Sequence, residues 1–211
     1  MTQAAAAAFL MLVLLFGGPW VTVQSTGAPE PQPARTAQEQ TDAPGADESS
    51  VLRVWNGTET VEMTMAAYLP GVVRGEMPAT FEVEALKAQA VAERTYIYYH
   101  LQRGGKANHP DADVCMDHTC CNAWTGAEQA AQKWGEQAEA YEAKIQEAVR
   151  ATDGQVMLYN GQLILAAFHS SSDGVTASCR DVWVQDLPYL ASVASPESGE
   201  SVPNYYSVRE F

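Results

Sequence analysis

Apolar and polar residues change their spacing several times along this chain, and each change marks an element. Residues 4–23 are almost uninterruptedly apolar, with Thr22 the one polar side chain. As a helix rising about 1.5 Å per residue, that stretch spans roughly 30 Å, the hydrocarbon thickness of a bilayer. Gly17, Gly18 and Pro19 weaken its end, no Lys or Arg precedes it, and no strong Ala-x-Ala cleavage site follows at once. The expectation is a retained signal-anchor over residues 1–23, with a cleaved signal peptide as the alternative. Residues 24–50 are rich in Pro, Gly, Ser, Thr, Ala, Glu and Asp. They offer too little apolar surface to offset ordering entropy and read as a flexible spacer.

From Val51 the spacing becomes that of a folded domain. Val51-Leu52-Arg53-Val54-Trp55 reads as a strand, Asn56-Gly57 as a tight turn, and the run from Thr60 to Met63 as the returning strand. Met65 to Gly71 shifts toward helix or irregular structure, and Pro70 argues against a long helix there. Between Phe81 and Tyr98, Val83, Leu86, Ala90, Val91 and Ile97 recur at three- and four-residue spacings, which predicts a helix packed on a core. Thr80 is its expected cap, with Glu82 and Glu84 in the first turns. A second helix is predicted over residues 127–149, where Trp134, Tyr141 and Ala148 recur every seven residues as core packing. Two apolar runs then flank Asn160-Gly161, the strongest hairpin signal in the chain. The second run delivers His169, Ser170, Ser171 and Ser172 at its exit. The fold class read from this pattern is α+β: a single mixed domain over residues 51–211, with β hairpins and two principal helices.

Charge narrows the options. The net charge is −14, from 12 Lys and Arg against 26 Asp and Glu, and no basic cluster offsets it. A nucleic-acid or other polyanion-binding surface is therefore not expected. Among the acids, Glu76 stands before Met77 and Pro78 at the threshold of a helix, a place where a half-shielded carboxyl can hold a proton near neutral pH and act as general acid, with an ordinary surface glutamate as the alternative. Glu82, Glu84 and Glu93 lie on or near the helix and read as solvated or paired. The serines after His169 are not framed as Gly-x-Ser-x-Gly, which argues against a serine hydrolase. His109, Cys115, Cys120 and Cys121 fall within 13 residues and offer nitrogen and sulfur ligands suited to structural Zn2+, although the spacing is not that of a standard zinc finger. Outside the cytoplasm the chain's four cysteines, Cys179 included, have disulfide formation as their alternative.

Motifs in fixed order carry more information than any one residue. Tyr68-Leu69-Pro70-Gly71-Val72-Val73-Arg74-Gly75-Glu76-Met77-Pro78 precedes Glu84-Ala85-Leu86-Lys87-Ala88-Gln89-Ala90-Val91-Ala92-Glu93-Arg94-Thr95-Tyr96. Ala112-Asp113-Val114-Cys115-Met116-Asp117 and Cys121-Asn122-Ala123-Trp124 follow, then Phe168-His169-Ser170-Ser171-Ser172-Asp173-Gly174 and Leu187-Pro188-Tyr189-Leu190. This order closely resembles the stage II sporulation protein D family, in its clostridial-type form.

The resemblance implies a membrane-anchored, extracytoplasmic lytic transglycosylase of spore engulfment, acting on peptide-stripped glycan strands in a groove and leaving 1,6-anhydromuramyl ends. It implies Glu76 as the catalytic glutamate, and His169 with Ser170 to Ser172 as a substrate segment. Lys87, Gln89 and Arg94 become candidate groove residues, with a surface or scaffold role as the alternative for each. His109, Cys115 and Cys121 match three positions of the relatives' zinc site, with Cys120 where those relatives carry histidine and His118 as a further candidate. Implied partners are a cell-wall amidase and a membrane scaffold of the engulfment machinery. The alternatives are an inactive glycan-binding or scaffold protein, and a hydrolase that uses water. Relatives continue past the Leu-Pro-Tyr-Leu segment, so the expectation includes a shortened domain.

Overall fold

A computed structural model describes residues 45–105, 109, 111–183 and 185–196. The expected signal-anchor and residues 24–44 of the expected spacer lie outside the described residues. The end of that spacer is folded: Ala46–Ser49 forms a short helix, α1, on which Asp47 is buried. Composition concealed this because polar contacts of Asp47 and of the α1 backbone, described below, hold the turn in place of apolar burial.

Strand β1, Val51–Trp55, has alternating burial, with Leu52 and Val54 inward and Val51 and Arg53 outward, as a strand with one covered face requires. It pairs antiparallel with β2, Thr60–Thr64, in the register Val51↔Thr64 to Trp55↔Thr60. The connection is thus a four-residue loop from Asn56 to Glu59, not the two-residue turn that Asn56-Gly57 predicts. The Asn56 side chain explains the difference: its Oδ1 accepts from the N–H groups of Thr58 and Glu59 at 2.9 and 3.0 Å, which closes a longer loop. On its other edge β1 pairs in parallel with β3, Val114–Cys115.

Helix α2, Met65–Glu76, starts at Thr64, whose hydroxyl accepts from the Ala67 N–H at 3.2 Å. Pro70 lies inside it. The residue removes one helical hydrogen bond, yet Met65, Tyr68, Leu69, Val72 and Val73 are all buried, and that packing outweighs the local penalty. Helix α3, Val83–Leu101, begins after Glu82 without a side-chain cap, so Thr80 does not serve the role expected of it. The second expected helix is interrupted. It comprises α4, Ala127–Trp134, a 3-10 turn Gly135–Gln137, and α5, Ala138–Ala151. Gly135 at φ 56° makes the break. Trp134 and Tyr141 meet edge to face at 5.7 Å across it and pack against the core.

The core lies between the sheet and α2, α3 and α5, and includes Leu52, Leu69, Val72, Leu86, Ile97 and Ile145. The expected hairpin is present but short: β4, Leu158–Tyr159, pairs with β5, Gln162–Leu163, through Asn160 and Gly161, both at positive φ. A last turn of helix, α6, spans Cys179–Val182. The α+β architecture read from the pattern is present, with α2 as a third substantial helix. Among the described residues, no helix is long and apolar enough to cross a membrane.

Candidate active site

Glu76 closes helix α2 and is half-buried. The extended segment Asn122 to Thr125 runs back along the same helix. The Ala123 N–H donates to Glu76 Oε1 at 2.6 Å, the Trp124 indole donates to the Tyr68 carbonyl at 3.2 Å, and the Thr125 N–H donates to the Gly71 carbonyl at 2.9 Å. Arg74 completes the attachment by donating to the Thr125 carbonyl at 2.9 Å while holding both oxygens of Glu142 on α5 at 2.8 Å. The Arg74 guanidinium holds the Glu142 carboxyl below its ordinary range. Among the described residues, Glu76 Oε2 has no hydrogen-bond partner.

Gly71 and Gly75, four residues apart on one face of α2, permit this close approach. A Cβ on Gly71 would overlap the Trp124 ring, and one on Gly75 would overlap the Ala123 carbonyl. Gly75→Ala is therefore expected to lower stability by roughly 1–3 kcal/mol, although alanine is the better helix former. Thermal unfolding compared with wild type measures this. A rise in melting temperature would contradict the close packing of segment and helix.

Glu93, one helix over, is fully buried among Gln89, Asn122 and core residues. Burial pushes its carboxyl from 4.5 up to about 8; the Gln89 hydrogen bond opposes the rise, and the charge of Glu76 adds to it. The folded state therefore binds a proton that the unfolded chain releases above about pH 4.5. The associated stability is complete below that pH and is lost as pH rises through 8, at on the order of 1.4 kcal/mol per pH unit within the window. Glu93→Gln is expected to remove this loss. Urea midpoints at about pH 5 and about pH 8 test it, and an equal decline in both proteins would contradict it.

The other candidates fall into separate places. Arg94 is fully buried, and its guanidinium is held by Asp47 at 2.6 and 2.8 Å. Gln89 is buried and donates to Glu93 at 2.7 Å. Lys87 is near the surface, paired with Glu84 at 2.7 Å. His169 and Ser170 are exposed. A cavity of about 600 Å³ is lined by His169, Ser171, Ser172, Trp183 and Tyr189 among others, and Glu76 is not part of its wall. The fold thus gives Gln89 and Arg94 interior partners and sets the serine segment on a cavity whose wall does not include Glu76.

The candidate metal ligands come together more closely. Donor atoms of His109, Cys115 and Cys120 all lie within 4.8 Å of one another, a separation that one tetrahedral ion with thiolate and imidazole ligands can bridge. Trp55 stacks on His109 with ring centroids 6.0 Å apart, and the Tyr68 hydroxyl donates to the Cys115 carbonyl at 2.8 Å. Cys121 points its sulfur 4.0 Å from that of Cys120 and accepts the Cys115 N–H at 3.3 Å. Burial pushes the Cys121 thiol up to about 12. His118 is exposed beside Asp117. Cys179 lies apart, its sulfur accepting the Leu187 N–H at 2.8 Å.

A glutamate at a helix end, clasped by a backbone amide beside a cysteine-bearing loop, defines a compact site on a mixed sheet. The Stage II sporulation protein family profile matches residues 56–159, and this segment is a domain of that family. It is 38% identical over 144 residues to Stage II sporulation protein D of Bacillus subtilis (strain 168), covering 68% of this chain and 42% of that protein. The protein of the same name from Bacillus amyloliquefaciens is 37% identical over 145 residues, with the same coverage, 68% and 42%. The amidase enhancer of Bacillus subtilis (strain 168) is 37% identical over 122 residues, 58% of this chain and 14% of that protein. The chain therefore spans less than half the length of these relatives.

Proposed function

We propose that the domain is a peptidoglycan lytic transglycosylase of the sporulating cell wall, with Glu76 as its acid and base. The supporting observation is the geometry of Glu76: one oxygen is fixed by the Ala123 N–H at 2.6 Å, while the other is left for substrate. Protonated Glu76 donates to the oxygen joining N-acetylmuramic acid to N-acetylglucosamine, and the bond from that oxygen to the muramyl anomeric carbon breaks. The muramyl 6-hydroxyl attacks the same carbon, and the Glu76 carboxylate takes its proton. One carboxyl serves both transfers because the nucleophile comes from the sugar, so the pair of carboxylates used in hydrolysis is not needed. Digestion of defined peptide-free and peptide-bearing strands, with products weighed by mass spectrometry, tests this. Anhydromuramyl ends, lighter by one water than hydrolysis products, are expected, and hydrolytic ends would overturn it. Peptide-stripped strands are the expected substrate, His169 with Ser170 to Ser172 a more distant contact, and Lys87 a surface contact.

His109, Cys115 and Cys120 are the residues we assign to a structural Zn2+, with Cys121 the adjacent further sulfur. Their thiolate and imidazole chemistry suits that ion, which would secure the loop leading to Ala123. Reduced protein purified without chelator is expected to contain about one zinc per chain. A ratio near zero would remove the assignment.

The apolar segment of residues 4–23 would hold the domain at the outer face of the membrane. A second reading is supported by the relative named amidase enhancer. In it the domain binds glycan without cleaving it and acts through a cell-wall amidase or a membrane scaffold. Full complementation of a null strain by Glu76→Gln would favour that reading.

A further inference from the structure

On α3, Leu86, Ala90 and Ile97 form a buried stripe, and Glu93 falls within it. An acid at a core position is costly unless its oxygens are engaged, and both are. Oε1 accepts from the Gln89 amide at 2.7 Å and Oε2 from the Asn122 amide at 2.6 Å. Asn122 immediately precedes Ala123, whose N–H is the group that clasps Glu76 at 2.6 Å. A continuous path therefore runs from the Gln89 amide through Glu93 and Asn122 to the backbone donor on Glu76.

We propose that Glu93 is a positioning residue for Glu76, acting through the Asn122 side chain to orient the Asn122–Ala123 peptide. This rests on the reading of Glu76 as acid and base. The Asn122 to Thr125 segment has no regular secondary structure, so no ladder of hydrogen bonds orients that peptide. The Trp124 and Thr125 contacts tie down its far end, and the Glu93–Asn122 bond ties the near end. An apolar residue at position 93 would fill the core equally well but leave the Asn122 amide buried without that acceptor.

The test combines kinetics on peptide-free strands with amide exchange at Ala123 measured by NMR, in otherwise wild-type chains. Glu93→Ala and Asn122→Ala are each expected to lower kcat about tenfold to a hundredfold, with KM moving less than about twofold. The Ala123 amide is expected to exchange at least about tenfold faster in both. The double variant is expected to lose no more than the worse single one, since both break one path. Glu93→Gln, which keeps a polar partner for Asn122, is expected to recover most of the lost kcat. Unchanged kcat, unchanged Ala123 exchange or additive losses would overturn the proposal. Should Glu93→Ala not fold, Asn122→Ala and Glu93→Gln decide it by the same readings. Wild-type activity in Glu76→Gln would overturn the underlying acid–base reading, whereas the Ala123 exchange rates report on the positioning path separately.

Discussion

Glu76→Gln is expected to reduce release of anhydromuramyl fragments by about 10²- to 10⁴-fold, the usual contribution of a positioned acid–base group. The substitution is nearly isosteric, and the new side-chain carbonyl can still accept the Ala123 N–H now held at 2.6 Å. Fold and strand affinity should therefore survive. What disappears is the transferable proton, and with it both the protonation of the departing oxygen and the deprotonation of the muramyl hydroxyl. The loss should fall on kcat, with little change in KM, because the interaction removed belongs to the transition state. Glycan-strand binding by the inactive variant, measured alongside product release, separates this outcome from general damage. Retention of the original turnover would end the assignment of Glu76.

Much of this site is readable before folding, and what is not has a common cause. The strand from Val51 to Trp55, the hairpin at Asn160 and Gly161, and the helical stripe at Leu86, Ala90 and Ile97 all express local periodicity, and local spacing locates them. Glu93 also carried a local signal, since it falls at +3 from Ala90 and −4 from Ile97, inside the apolar stripe. That position marks it as buried, in contrast to the solvated or paired reading. Its partner Asn122 lies 29 residues away, beyond the reach of any periodic pattern. The same limit applies to the Ala123 donor, which is a backbone group and leaves no trace in residue type. Gly71 and Gly75 are legible only once the Trp124 segment is known to cross them. Pro70 misleads because its penalty is local, whereas the burial that overrides it comes from the whole core. Cys120 and Cys121 are adjacent residues of one type, and only the folded loop sets the Cys120 sulfur with His109 and Cys115 while the Cys121 sulfur accepts the Cys115 N–H.

The largest stability effect is expected from Asp47→Ala, which should cost about 3–5 kcal/mol, the range for breaking a buried ion pair from one side. Arg94 is fully buried on α3 and Asp47 is 2% exposed on α1. The Arg94 Nε and Nη2 groups bind the two Asp47 oxygens at 2.8 and 2.6 Å, and other guanidinium hydrogens reach the carbonyls of Gln155 and Val149 at 3.1 and 3.4 Å. Asp153 in turn accepts the N–H groups of Ala46 and Asp47, both at 2.8 Å. A four-residue helix that could not persist alone is thereby clipped between α3 and the end of α5. Removing the Asp47 carboxylate leaves a permanently charged guanidinium in the interior with carbonyl acceptors only. Removing both charges by Asp47→Ala with Arg94→Met leaves no such orphan, so the double variant should be more stable than Asp47→Ala alone. Equilibrium urea unfolding of the wild type, both single variants and the double variant measures the coupling directly. Additive losses across the cycle would show that α1 is held by its backbone contacts to Asp153 and not by the ion pair.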